Sequence, residues 1–116
     1  MYSKELIKGT LKPIILKLLA ENGRMYGYEI TREVRKRTEN KIVITEGALY
    51  PTLHRLEAEG IVKTDTQNIG KRVRKYYSLT QSGTEAAKAR VNEFLDFINT
   101  MRILLNPKLN PGLNYG

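Results

Sequence analysis

Leu11, Ile14, Ile15, Leu18 and Leu19 recur at steps of three and four, the spacing that lines one face of an α-helix. With Thr10 as N-cap, Pro13 falls in the first turn, where an N–H has no partner in any case. Residues 3–9 are then expected as a separate helical arm joined at a kink. Gly23 ends this helix by taking a positive φ, and Tyr26, Ile30 and Val34, four apart, mark a second helix over roughly 27–38. The β-branched run Ile42-Val43-Ile44 is too short for a helix and predicts a small strand. Thr45 caps a third helix over 46–59, with Leu49, Leu53 and Leu56 as its buried stripe, Gly60 as its stop and a bend expected at Pro51.

Further along, Ile61–Thr66 and Val73–Leu79 are rich in β-branched and aromatic residues around the turn signal Asn68-Ile69-Gly70-Lys71, which predicts a β-hairpin. A period of two on its second strand separates Val73, Lys75, Tyr77 and Leu79 from Arg72, Arg74, Tyr76 and Ser78. Ser82 and Glu85 match a capping box that opens a last helix. Its Ala87, Val91, Phe94, Ile98, Met101 and Leu105 form a heptad seam that a domain of this size covers only in part, so self-association into a homodimer is expected. Asn106-Pro107 stops the helix.

Three helices followed by a hairpin form the winged variant of helix-turn-helix. The fold class expected is mainly α with a small β wing. Residues 1–80 make the winged helix-turn-helix unit with its N-terminal arm, 81–105 the dimerisation helix, and 106–116 a flexible tail.

Charge sharpens this picture. Of the 20 Lys/Arg and 12 Asp/Glu in the chain, residues 1–80 hold 16 and 9, leaving 4 and 3 beyond, so the net charge of +8 is concentrated in the winged unit. A basic module followed by a nearly neutral segment fits a polyanion-binding part and a part with another job. With no cysteine, no disulfide framework or thiolate metal site is available, and no signal peptide or membrane span is read at the N-terminus. A cytoplasmic location is therefore expected.

In a winged helix-turn-helix the third helix enters the major groove, so its outward residues should be small or hydrogen-bonding. Thr45, Gly47, Tyr50, Thr52, His54 and Arg55 suit that role, with Tyr28 at the start of the second helix beside them. For Tyr50, partial burial with its hydroxyl on a neighbour is an equal alternative. Lys71-Arg72-Val73-Arg74-Lys75 places four cations at the hairpin with no acid nearby, which reads as a wing gripping phosphates through Lys71, Arg72 and Arg74. Arg32, Arg35, Lys36 and Arg37 read better as a solvated face. His54 is the lone histidine, and paired carboxylates or a phosphate-binding glycine loop do not stand out, so neither an enzyme, a cofactor nor a metal site is expected. The partner expected is a double-stranded DNA operator; the alternative is a winged-helix protein-interaction module without a specific DNA target.

Tyr26-Gly27-Tyr28-Glu29-Ile30, the block from Gly47 to Gly60 (GALYPTLHRLEAEG), and the strand from Lys71 to Thr80 (KRVRKYYSLT) together resemble the PadR family of bacterial transcription regulators, over about residues 6–104. The resemblance implies a winged-helix domain and a C-terminal dimerisation helix, with the role usually of a repressor released by a small ligand. The short C-terminal part is similar to the smaller subfamily, in which the first helix joins the dimer interface, here through Leu6. Two positions depart from the family: Tyr26 stands where histidine is common, and there is no tryptophan of the kind a multidrug-binding branch stacks on planar ligands. Phe94 and Phe97 are the aromatic residues available to line a pocket for a small aromatic effector.

Overall fold

A computed structural model describes residues 2–106 and 108, in the order α1 (Lys4–Asn22), β1 (Arg24–Tyr26), α2 (Gly27–Arg37), α3 (Glu46–Ala58), β2 (Val62–Ile69), β3 (Arg72–Leu79) and α4 (Gln81–Leu105). The tail expected at 106–116 lies, but for Asn106 and Lys108, outside the described residues.

The first correction concerns α1, which is one helix rather than an arm and a helix. Ser3 caps it, its side chain accepting from the Leu6 amide at 3.3 Å, while Thr10 turns its hydroxyl back to the Ile7 carbonyl at 2.9 Å. Ile7 also packs against the core, continuing the apolar stripe of Leu11, Ile15, Leu18 and Leu19 toward the N-terminus. That shared face carries the helix through Pro13. Gly23, at φ +82°, ends it as expected.

A second correction concerns the third strand. Ile42-Val43-Ile44 makes no ladder; Ile44 is buried and Ile42 half-buried, so the segment packs without pairing. The sheet order is β1-β3-β2, and β1 takes the free edge of β3 with Met25 opposite Tyr77 and Tyr26 opposite Tyr76. The hairpin is longer than expected. Val62 pairs with Leu79 at its base and Ile69 with Arg72 at its tip, around the two-residue turn Gly70-Lys71 with Gly70 at φ +62°.

The third correction is the cap of α4. Thr80 holds that position instead of Ser82: its hydroxyl oxygen accepts from the Gly83 amide at 2.9 Å and donates to the Gly60 carbonyl at 2.6 Å. A threonine that both caps a helix and bonds the preceding loop outcompetes a serine with only the local partner. Gly83 is buried there, and a Cβ on it would collide with the Ile61 carbonyl oxygen.

The core joins α1 to Ile30 and Val34 of α2, Leu49, Leu53 and Leu56 of α3, and Met25, Val62, Tyr77 and Ala87. Burial pushes the Tyr77 phenol above its ordinary pKa. Glu59, just past α3, ties three helices together by accepting from Lys12 of α1 and Arg90 of α4, both at 2.9 Å, and these cations hold its carboxyl below the usual value. Beyond Val91, which still packs against the core, α4 leaves Leu95, Phe97, Ile98, Leu104 and Leu105 exposed. Among the described residues no helix is long and apolar enough to cross a membrane.

Candidate nucleic-acid interface

The local sequence of α3 decides what it shows to solvent. Leu49, Leu53 and Leu56 turn inward, so Gly47, Pro51, His54, Arg55 and Ala58 are left outside, with Thr45 exposed at the N-cap, its oxygen accepting from the Ala48 amide at 3.3 Å. Glu46 is also exposed, in the first turn and ~100° round the helix from Gly47, so the stripe of Gly47, Pro51, His54, Arg55 and Ala58 itself carries no carboxylate. Thr52 is the exception among the residues expected there: only 3% exposed, it donates its hydroxyl to the Ala48 carbonyl at 3.0 Å. A side chain engaged inside its own helix cannot reach a base, and Thr52 is removed from the contact set.

Tyr50 is half-buried, and its hydroxyl rests where a side chain on Gly27 would stand. Gly27 is therefore needed for close approach of α2 to α3, and Tyr50 follows the packed alternative raised from sequence. His54 lies beside it, ring centroids 6.5 Å apart, and stays exposed. Tyr28 projects from the first turn of α2, 55% exposed, with the Arg32 guanidinium 5.6 Å from its ring.

The wing divides into a free tip and a pinned root. Lys71 and Arg72 are exposed and have no ion-pair partner among the described residues. Arg74, two residues on, is half-buried with its guanidinium 4.2 Å from the Tyr26 ring centre. Tyr26 meets Tyr76 edge-on at 5.5 Å, and Arg24 covers the other ring at 4.3 Å. The result is an Arg-Tyr-Tyr-Arg stack that clamps β3 to β1 and the start of α2. Sequence reasoning missed Arg24, Tyr26 and Tyr76 here, having given Tyr26 to the buried face of α2. The available signal was Arg74 and Tyr76 on one side of a strand beside a second Tyr-rich segment. Between root and tip, Tyr26, Tyr28, Arg72, Val73 and Arg74 line a cleft of about 470 Å³.

The seam residues of α4 separate as well. Ala87 is 2% exposed and belongs to the core of its own chain, which corrects its expected place at a dimer contact. Val91, Phe94 and Met101 are half-buried, whereas Ile98 and Leu105 are exposed. Phe94 and Phe97 stack at 6.5 Å with Phe97 facing solvent, and Leu6 is exposed on α1.

The model of the transcriptional regulator PadR-like family matches residues 15–89. Over 99 residues the chain is 37% identical to an uncharacterized protein of Lysinibacillus sphaericus, covering 83% of this chain and 88% of that one. It is 31% identical over 83 residues to a transcriptional regulator of Mycobacterium tuberculosis, covering 72% and 74%. A solved transcriptional regulator from Clostridium thermocellum superposes with a TM-score of 0.76 at 32% identity, covering 88% of this chain and 96% of that chain. A PadR family regulator from Eggerthella lenta superposes with a TM-score of 0.74 at 29% identity, covering 88% and 87%.

Proposed function

Because the chain belongs to the PadR-like family of transcriptional regulators, we propose that it binds double-stranded DNA sequence-specifically as a homodimer. The observation that carries this reading is the acid-free outward stripe of α3 set beside Lys71 and Arg72 of the wing, which are in no ion pair among the described residues. An α-helix with side chains is about 10–12 Å across and the major groove about 12 Å wide, so such a stripe meets base edges when α3 lies in the groove. Gly47 lets the backbone approach; His54 and Arg55 supply donors; Lys71 and Arg72 neutralise phosphates of the neighbouring backbone. Tyr28 adds a hydroxyl at the edge of the same surface.

Support for the dimer is the apolar face of α4, where Ile98 and Leu105, flanked by Leu95, Phe97 and Leu104, are exposed on the single chain. Two copies joined there present two recognition helices to half-sites about one helical turn, ~34 Å, apart. Repression by occupying the operator, relieved by a small aromatic ligand, completes the proposal. Its support is the family's regulatory role and the Phe94–Phe97 pair on the same free face.

The test is selection of bound duplexes from a random pool with the full chain, followed by a salt titration on the selected sequence. The expected result is a pseudo-palindromic consensus bound with steep salt dependence. A pool that enriches no sequence, with no duplex affinity even at low salt, would refute the reading.

A further inference from the structure

Lys4 and Lys8 lie four apart on α1, side by side on one face, and point into a cleft of about 450 Å³ whose opposite wall is the start of α3: Thr45, Gly47, Pro51 and Arg55. Among the described residues no carboxylate lines this cleft, and none of Lys4, Lys8 and Arg55 is in an ion pair. Cations gathered at this density repel one another unless an anion is present. Lys4 is also placed against the helix dipole, since it occupies the first turn of α1, where negative charge is favoured. A residue set where local physics disfavours it calls for a compensating role.

From these observations we infer that the cleft is a second phosphate grip, in which Lys4 and Lys8 of α1 hold the DNA strand running along the far flank of α3. The inference rests on the DNA-binding reading above and adds residues to it. A helix that fills the major groove has one sugar-phosphate strand on each side. At ~100° per residue, Tyr50 and Arg55 fall on opposite sides of the outward stripe of α3. The Tyr50 side faces α2, as its contact with Gly27 requires, and the root of the wing is stacked on the N-cap of that helix through Arg74 and Tyr26. The Arg55 side faces α1, and the cleft opens between them. Wing and α1 thus supply cations to the two flanks of one recognition helix.

The test measures binding of a mixed-sequence duplex of about 30 base pairs, long enough for two half-sites, by fluorescence anisotropy across a range of salt concentrations. Full-length wild type, Lys4→Gln, Lys8→Gln, and Lys36→Gln on the exposed last turn of α2 are compared. If each lysine neutralises one phosphate, Lys4→Gln and Lys8→Gln each flatten the slope of log K against log salt by about 0.9, and Lys36→Gln leaves it unchanged. All three side chains are exposed, and circular dichroism should report unchanged helix content. Slopes equal to wild type, or a Lys36→Gln slope flattened as much as the other two, overturn the grip while duplex binding by wild type still upholds the DNA reading. A wild-type protein that binds no duplex overturns both.

Discussion

Replacing Ile98 with glutamate tests whether α4 joins two copies. Ile98 lies at the middle of the seam and is 40% exposed in the single chain, outside the core cluster, so its own fold does not depend on it. Burial of the exposed part against a partner is worth roughly 0.6–1.2 kcal/mol per copy, scaled from ~1.5–3 kcal/mol for a whole aliphatic side chain. A carboxylate in its place forfeits that gain and must be desolvated or neutralised, which adds about 2 kcal/mol per copy or more. Two-fold symmetry places both substitutions in one interface, for a total of about 5–6 kcal/mol, or roughly a 10⁴-fold weaker dimer. Sedimentation velocity at about micromolar concentration should then show a dimer for wild type and a monomer for the variant, with helix content retained by circular dichroism. DNA affinity should fall alongside, because unlinked half-site binding loses the effective concentration of the second module. A variant as dimeric as wild type would show that association, if any, uses another surface.

Other outcomes follow from the geometry. Arg72→Ala should flatten the salt slope of duplex binding by about 0.9 and leave thermal stability within about 0.5 kcal/mol, since the side chain is exposed and in no ion pair among the described residues; an unchanged slope would place it off the phosphates. Glu59→Gln should lower stability at neutral pH by less than about 1 kcal/mol, its partners being about a third exposed and screened. The folded carboxyl titrates below its ordinary 4.5, so its contribution is complete above that pH and fades as pH falls through the depressed value. Urea unfolding of both proteins should therefore differ at pH 7 and converge in strong acid, and a gap persisting there would reject the charge explanation. Gly83→Ala drives a methyl into the Ile61 carbonyl, a backbone group that cannot swing aside, and should destabilise by ~1–3 kcal/mol despite a helix-propensity gain of about 1 kcal/mol. A more stable variant in urea titration would mean that α4 can shift freely on the hairpin base.

What the chain showed in advance was whatever a helix or turn decides within a few residues: the Leu49, Leu53 and Leu56 stripe, the Thr45 cap, the stops at Gly23 and Gly60, and the hairpin around Gly70. The failures share one cause, a competitor distant in sequence. Arg24-Met25-Tyr26 has no pattern of its own long enough to declare a strand; it becomes one because β3 offers an unpaired edge, while Ile42-Val43-Ile44 has the better β composition and instead buries Ile44 in the core without pairing. Thr80 and Ser82 both begin acceptable caps, and the Gly60 carbonyl, twenty residues back, selects Thr80. The same holds inside the proposed interface. Arg72 and Arg74 share one side of β3 and looked alike as phosphate ligands, yet one is free at the tip and the other lies over Tyr26. The difference has mechanical value: a long two-stranded ribbon is marginal by itself, and ordering it on DNA would consume binding energy. Stacking Arg74 and Arg24 on the Tyr26–Tyr76 pair fixes the root of the hairpin in the free protein, so that in the proposed complex Lys71 and Arg72 would meet the backbone on a scaffold already held in place.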